Sequence, residues 1–420
     1  MAPEILHLSS MVHSPLLDRR GDRIGRIEDL IVRPGASDHP VVGGFVASIG
    51  GRELFVPISL VWELRPGRVQ LQGETLNLGR FERRAGELLL VRDLAGRHLI
   101  NLVGARLISA NEIELACVEG TWQVVGVDPS GRGTLRRLLP RPLARRVGPG
   151  KIVDWASIQP FLSHVPTARL RIPYRKLAKL KPAQIADLVE AASHEEGEEI
   201  IAAVGQNNRE LEADVFEELD EEHQREFLMS RSDEEAARLL ATMEPDDAAD
   251  LIVDLDQERR IPILEALPAP VQAKVRALLN YNPETAGGLM TPDFLLLAAS
   301  ATVGEALAAL RESKLPEDAL ATVYLKDDEG GVAGIVTAVR LVKSDPAARL
   351  AAVAESDPVV LRTDADVHAI QRRMSDYNLS ALPVVDEEQH LVGVITVDDV
   401  LELLLPTGWR RDYGMTGTGE

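Results

Sequence analysis

The sequence is poor in cysteine, in aromatic residues and in long apolar runs. One cysteine, Cys117, stands alone in 420 residues, so no internal disulfide can form and a reducing compartment suits the chain. The longest nearly apolar runs, residues 41–51 and 294–303, fall short of the roughly 20 residues that cross a bilayer as a helix. No basic segment followed by an apolar core opens the chain. We therefore expect a cytoplasmic protein with no transmembrane segment.

Enzyme signatures are missing as well. The chain has no Gly-x-Ser-x-Gly, His-Glu-x-x-His or dinucleotide-binding glycine motif. Cys117 lies in a strand-like pattern without a neighbouring base, which favours a buried structural thiol over a nucleophile. We predict that the protein is not an enzyme.

Charge is distributed unevenly along the chain. The net charge is −20, yet residues 1–175 hold 24 Lys and Arg against 17 Asp and Glu, while the remainder holds 22 against 49. Such an acidic half repels nucleic acid and attracts cations. A basic stretch at residues 132–146 interrupts the N-terminal half, and two interpretations stay open for it, a solvated loop or a docking contact.

Residues 1–168 carry the pattern of small β-barrels. Short runs of alternating polarity follow one another, separated by turn residues, and few helical periods occur. Trp62 and Trp155 occupy equivalent strand positions, so we expect both to pack in a core. Residues 22–29, Asp-Arg-Ile-Gly-Arg-Ile-Glu-Asp, resemble PRC-barrel domains. The resemblance extends to residues 1–82 and 83–168 and implies two docking modules, with a membrane transporter or another protein as partner.

Residues 172–280 change to helical periodicity. Residues 177–189 are echoed by residues 240–252, and in each segment a proline, Pro182 or Pro245, falls in the first helical turn. There its fixed φ costs no hydrogen bond. Helices this short cannot bury an apolar stripe alone, so we predict stacked helical hairpins.

A further pattern repeats in the last third of the chain. The order helix, strand, strand, helix over residues 302–344 recurs over residues 366–404. It resembles the cystathionine-β-synthase (CBS) domain, with copies over residues 281–345 and 346–406 and a tail over 407–420. The predicted fold class is thus multidomain α+β, with N-terminal small β-barrels, a superhelix of α-helical hairpins and a tandem α/β CBS pair.

Residues 281–292 join the helices to this pair and read Tyr-Asn-Pro-Glu-Thr-Ala-Gly-Gly-Leu-Met-Thr-Pro. Two prolines and a glycine pair exclude a regular helix or strand there. The string resembles the joint between the cytosolic helical domain and the CBS pair of MgtE-type magnesium transporters. The resemblance runs over residues 174–404 and implies a magnesium-dependent regulatory region.

The resemblance also implies Mg²⁺ bound between the helical domain and the second CBS domain. Carboxylates three or four residues apart share a helix face, and Mg²⁺ prefers oxygen ligands while keeping much of its water. The alternative is that acids in a first turn merely complement the helix dipole. The predicted ligands are Asp246, Asp247, Asp250, Asp399 and Glu402.

A nucleotide is the second predicted ligand. In CBS domains the pattern Gly-apolar-apolar-Thr-x-x-Asp binds adenine nucleotides, with Thr on phosphate and Asp on ribose. The second domain has it in full, ending in Thr396 and Asp399, whereas the first has Thr337 followed by Arg340 in place of the ribose Asp. The predicted nucleotide-binding residues are Thr396, Asp399, Thr337 and Arg340. Arg340 either excludes the ribose contact in the first domain or binds a phosphate instead, and the metal and nucleotide interpretations compete for Asp399.

The resulting prediction is a non-transporting, membrane-less magnesium sensor that dimerises through its CBS modules. After Glu402 the sequence lacks the acidic connecting helix and the membrane helices of the transporters it resembles. The alternative is a constitutive adaptor whose barrels dock a membrane or ribonucleoprotein complex, with the acidic half serving only solubility and dimerisation.

Overall fold

The computed structural model describes residues 5–33, 38–72, 79–130, 150–161, 174–317 and 319–404. It divides into two compact units, Met1–Leu219 and Asp220–Glu420. The predicted α+β class is confirmed, with a nearly closed N-terminal barrel, a helical region and a tandem CBS pair. The basic stretch 132–146 and the tail 407–420 lie outside the described residues. Among the described helices, none combines the length and apolar character that crossing a membrane requires.

The first unit opens with the barrel, whose described residues include a short helix, α1 (Leu8–Met11). One continuous sheet has the order β1-β11-β12-β4-β3-β2-β7-β6, and β9 lies between β10 and β14 in a second sheet. Strands β1 to β14 span Ile5–His7, Pro15–Leu17, Arg23–Arg33, Val41–Ile49, Arg52–Pro57, Val61–Arg65, Arg68–Leu71, Leu88–Leu89, His98–Asn101, Arg106–Ser109, Glu112–Val118, Thr121–Asp128, Val153–Asp154 and Ile158–Pro160.

Both predicted barrel halves contribute to a single core. Strand β1 pairs with β11, and β12 pairs with β4, so the large sheet crosses from one half to the other. The buried cluster inside runs from Leu6 to Ile158. The resemblance to PRC barrels and the boundary between residues 82 and 83 stay predictions, but the halves are joined by shared strands and shared apolar packing.

A buried carboxylate explains one departure from the predicted strands. The apolar pattern at residues 88–93 is typical of a strand, but after Leu88–Leu89 the strand gives way to a π-helical turn at Leu90–Leu94. Asp29, fully buried on β3, accepts hydrogen bonds from the amides of Val91 (2.8 Å) and Arg92 (3.1 Å) and so bends the backbone around itself. Burial raises the pKa of Asp29 to about 6, against the lowering effect of these amides.

The prediction of a core position is confirmed for one tryptophan and wrong for the other. Trp155 is 5% exposed, whereas Trp62 is 74% exposed. The pairing of β6 with β7 slips between Val61 and Glu63, which makes Trp62 the extra residue of a β-bulge. A bulge breaks the alternation of inward and outward side chains, and a sequence pattern does not reveal it. Cys117, expected to be buried, is only half-buried.

Short capped helices follow the barrel. Pro182 and Pro245 each occupy the first turn of a helix, as predicted, and side chains such as Ser193 and Ser232 close capping boxes. The first unit holds α2 to α5, which span Tyr174–Leu177, Pro182–Glu190, His194–Gly205 and Arg209–Glu217. The second unit holds α6 to α10, which span Glu221–Met229, Asp233–Leu240, Pro245–Asp254, Gln257–Ala266 and Ala269–Leu278.

The CBS pair completes the second unit. Its first sheet has the order β15-β16-β17-β18 and its second the order β19-β20-β21, and Tyr324 packs with Leu391 and Val394 where the two sheets meet. The strands span Leu295–Ala298, Thr322–Lys326, Val332–Thr337, Glu355–Ser356, Leu361–Arg362, Ala381–Val385 and Leu391–Thr396. Helices α11 to α15 span Val303–Glu312, Ala338–Lys343, Leu350–Val353, Val367–Tyr377 and Val397–Leu404.

The joint at residues 281–292 is closely packed. A Cβ added at Gly287 would lie 2.6 Å from the Tyr281 ring, and one at Gly288 would lie 2.5 Å from the carbonyl oxygen of Asn282. The amide of Gly287 also donates to Thr363 of the second CBS domain at 2.9 Å. The glycine pair is therefore required by close approach of backbone and ring, and the joint is fixed to its neighbours.

We expect Gly288→Ala to destabilise the second unit by about 1–3 kcal/mol, since the added methyl group meets backbone atoms that cannot move aside cheaply. The measurement is urea unfolding, monitored by hydrogen exchange of the backbone amides in β20 and β21. Gly79→Ala is the control, because a Cβ there meets nothing within 4 Å. Equal stability of Gly288→Ala and wild type would show that the joint is loosely packed.

Candidate metal site

Asp246 lies in the first turn of helix α8 and is 7% exposed. Pro245 begins this helix, and α8 packs against α10. The Asp246 carboxylate lies near the hydroxyl of Thr291, from the joint, which acts to lower its pKa. Its Oδ1 atom has no hydrogen-bond partner among the described residues. A buried carboxylate oxygen without a donor is costly, so this atom is suited to a cation.

The charges around Asp246 are of the same sign. The pKa of Asp246 is raised well above its usual range, mainly by burial and further by the negative charges of Asp247 and Asp399. The Thr291 hydroxyl and the amide of Asp246 itself act in the opposite direction but do not compensate. The folded chain therefore disfavours the ionised form of Asp246 unless a positive charge is present.

Asp399 comes from the first turn of helix α15 in the second CBS domain. Its Oδ2 accepts from the amide of Thr396 at 3.1 Å and from the Thr396 hydroxyl, which holds the carboxylate over the start of the helix. The negative charge of Asp399 raises the pKa of Asp246, so these two predicted ligands lie near each other. Glu402 lies on the same helix, and its side chain is outside the described residues.

Asp250 has a different environment. Desolvation first, and then the carboxylates of Asp254 and Glu221, raise the pKa of Asp250 to about 6. These neighbours lie on α8 and α6, whereas Asp246 responds to Asp399. Of the five predicted ligands, Asp246, Asp247 and Asp399 lie close enough for the charges of the last two to act on the first. Asp250 belongs to a second acidic group, with Asp254 and Glu221.

No group of three or more His, Cys, Asp and Glu side chains forms a ready-made metal centre within the described ranges. Mg²⁺ does not require one, because proteins usually hold it through one or two carboxylates while it keeps several waters. The pair of Asp246 and Asp399, with an unpartnered oxygen on the first, fits that mode of binding.

The predicted nucleotide residues are engaged in helix caps. Thr396 donates to Asp399, and Thr337 accepts from the amide of Arg340 at 3.3 Å at the start of α12. The Arg340 side chain is exposed. Nucleotide binding at Thr337, Arg340, Thr396 and Asp399 stays a prediction.

Sequence reasoning missed three residues that connect the site to the joint. Thr291 acts to lower the pKa of Asp246, and Asp293, two residues later, forms an ion pair with Lys274 on α10. Thr291 falls inside the string that carries the family resemblance, which was the only signal available. The ion pair joins residues 19 positions apart and has no local signature.

A helical domain joined to a CBS pair, with carboxylates of both meeting at the joint, is the architecture that fold and site define. Family comparison identifies it: residues 180–284 match the MgtE intracellular N domain, and residues 286–346 and 350–406 match the CBS domain. Residues 180–406 are therefore homologous to the cytosolic domain of MgtE, which confirms the predicted resemblance.

Relatives and solved structures agree. Magnesium transporter MgtE of Thermus thermophilus is 33% identical over 195 residues, which cover 46% of this chain and 43% of that protein. The matched region thus spans less than half of this relative. The cytosolic domain of the Mg²⁺ channel MgtE in complex with ATP is 30% identical, with a TM-score of 0.50, covering 55% of this chain and 93% of that one. The soluble part of a magnesium transporter, at 24% identity and TM-score 0.50, shows the same fold.

The electrostatics of Asp246 give a testable pH dependence. An acid whose pKa is raised by folding is tolerated while protonated and destabilises the fold as pH rises through that pKa. In metal-free buffer we expect Asp246→Asn to be more stable than wild type at pH 8, by on the order of 1 kcal/mol, and to lose that advantage at pH 4. Urea unfolding at both pH values measures it. Asp328→Asn, on an exposed hairpin turn, is the control. An advantage independent of pH would contradict the assignment.

Proposed function

We propose that this chain is a cytoplasmic magnesium-sensing regulatory protein that binds Mg²⁺ between its helical domain and its second CBS domain. The observation that carries the proposal is Asp246: a buried carboxylate with an unpartnered oxygen, next to Asp399 from the other domain. Two carboxylates in that position repel each other. A bound divalent cation would turn this repulsion into attraction.

Asp246 and Asp399 would hold the ion, with Asp247 adding negative potential beside them. Thr396 orients Asp399, because the amide and hydroxyl of Thr396 both bond to its Oδ2. The predicted ligands Asp250 and Glu402 remain part of the proposal as flanking acids that raise the local cation concentration. The ion would supply charge neutralisation, and the residues would supply orientation and burial.

Neutralising these carboxylates would change how the helical domain lies against the CBS pair. Helix α8 carries Asp246, helix α15 carries Asp399, and the joint connects the two domains. With the ion bound, the two helices are held at one distance, and without it the paired charges favour separation. The sensor's response is therefore a change in how firmly the helical domain is held against the CBS pair.

The relatives support magnesium as the ligand, since the transporters that match this chain carry magnesium in their names and one solved domain has Mg²⁺ channel in its title. That domain is a complex with ATP. We keep an adenine nucleotide at the second CBS domain only as a competing ligand, because Thr396 and Asp399 complete the motif there while Asp399 is also a proposed metal ligand.

The metal proposal is tested by limited proteolysis across a magnesium titration at constant ionic strength, with calcium in parallel. We expect millimolar Mg²⁺ to protect residues 281–291 in wild type and to give no protection in Asp246→Asn/Asp399→Asn, because both closing carboxylates are neutral. Calcium separates a specific response from general screening of the acidic half.

Glu258→Gln is the matched control, since it also neutralises one acid of the helical domain, on helix α9. Glu258 is exposed and is not one of the predicted ligands, so the magnesium response is expected to persist. A wild-type cleavage pattern that ignores Mg²⁺ would refute the sensor and favour the constitutive adaptor.

The barrel is the part of the chain that we assign to partner docking. Its bulge presents Trp62 to solvent at 74% exposure, and tryptophan is enriched at the energetic centres of protein interfaces. The partner in this proposal is a membrane transporter or another protein.

A homodimer through the CBS modules is the remaining element of the proposal. The last helix of each CBS domain carries exposed apolar side chains: Val339 and Val342 on α12, and Leu401 and Leu404 on α15. Exposed apolar stripes at equivalent positions of a repeat are suited to pairing with a second copy.

We expect Val342→Glu/Leu401→Glu to shift the protein toward monomer, because the new charges would be buried in the dimer. Light scattering coupled to gel filtration measures the mass over a range of concentrations. Val103→Glu, at an exposed loop position of the first unit, is the matched control and should leave the mass unchanged. A monomeric wild type, or an unaffected double variant, would contradict pairing through these helices.

A further inference from the structure

The two CBS domains contact each other through the hairpin turns of their sheets. The first turn, residues 327–331, connects β16 to β17, and the second, residues 386–390, connects β20 to β21. In each turn the opening aspartate accepts from the amide four residues later at 2.8 Å, and its own amide donates to the carbonyl of that residue at 3.0 Å. Gly331 and His390 occupy this last position, and an antiparallel bridge joins them. The turns are thus alike in geometry and lie side by side.

The side chain of His390 reaches from its own turn to the other one. A Cβ added at Gly330 would lie 2.9 Å from the Cδ2 atom of His390 and 3.0 Å from its Nε2, so the ring lies directly on the glycine. Nε2 is 3.4 Å from the carbonyl oxygen of Glu329, and Nδ1 is 3.5 Å from Oδ2 of Asp386. Each ring nitrogen therefore faces an oxygen, one in each CBS domain.

The protonation state of His390 decides how many of these contacts are hydrogen bonds. A carbonyl oxygen and an ionised carboxylate can only accept, so the ring must supply the hydrogen in both contacts. A neutral imidazole has one N–H and can donate to only one of the two oxygens, whereas an imidazolium donates to both. Histidine is the side chain that ordinarily changes charge between pH 5 and 8.

We propose that His390 is a pH-sensitive clasp between the two CBS domains, which closes more firmly when its ring is protonated. The proposal goes beyond magnesium sensing and does not depend on it. Protonation adds the missing donor without moving either turn, and it places a positive charge between two acidic segments. The sign follows: the contact is strengthened at the acid end of the histidine range and loses this contribution as pH rises.

The charges around the ring act mostly in the same direction. Arg362 on β19 lies 4.0 Å from Glu387 and 3.2 Å from Asp364, so it offsets part of the negative potential. The side chain of His390 is 47% exposed, so solvent screening keeps the effect small. The acids of the two turns are Asp327, Asp328, Glu329, Asp386, Glu387 and Glu388.

The test follows hydrogen exchange of the turn amides by mass spectrometry in the full chain, at pH 5.5 and pH 8. Protection factors remove the intrinsic effect of pH on exchange, and a chelator removes bound cations. His390→Gln keeps a polar side chain that does not titrate, and His390→Lys keeps the positive charge at both pH values. We expect protection of the wild-type turns to increase about threefold more toward pH 5.5 than in either variant.

His368→Gln is the matched control, since it removes an exposed histidine from helix α14 of the same CBS domain and should leave the pH dependence of the turns unchanged. Equal pH dependence in wild type and His390→Gln would overturn the proposal, as would its loss in the control. Circular dichroism reports whether each variant is folded. If His390→Gln does not fold, His390→Lys decides, and a pH dependence like that of wild type in this variant would overturn the clasp.

Discussion

Repulsion between two carboxylates that the fold forces together is the constraint on which the second unit depends. Asp246 is carried by a helix that begins at Pro245, and Asp399 by a helix whose first turn is capped through Thr396. Each position is favourable within its own helix, since acids suit a first turn. Only the packing of the domains makes the pair unfavourable. The electrostatic cost of placing these carboxylates near each other therefore arises only when the unit is folded.

That distinction explains what the sequence could and could not predict about the site. Helix starts and carboxylate spacing are local, so Asp246 and Asp399 were accessible as candidates. Which carboxylates lie close together is set by packing, and here the charges of Asp254 and Glu221 act on Asp250, although Asp250 shares a helix with Asp246. The packing of Thr291 against strand β21, through backbone hydrogen bonds to Val394, likewise has no local signature in the sequence.

The fold follows the same division. Residues 381–385 and 391–396 form strands as predicted, because apolar alternation and flanking turns specify them locally. In the barrel, strand-like segments were recognisable, but their pairing was not. Asp29 bends the residues at Leu90–Leu94 through hydrogen bonds to amides about 60 positions away, and the bulge at Trp62 depends on the register of its neighbour. Pairing between residues this far apart does not show in the periodicity of the sequence.

The shared core of the barrel has a consequence for how the chain is made. Strand β1 pairs with β11, and the apolar cluster extends from Leu6 to Ile158, so neither half encloses a complete core. During synthesis more than a hundred residues must follow strand β1 before its partner β11 has been made. Strand pairs between segments so distant in sequence form slowly. The capped helices that follow are local and form quickly, so we expect the C-terminal helices to mature while the N-terminal barrel is still closing.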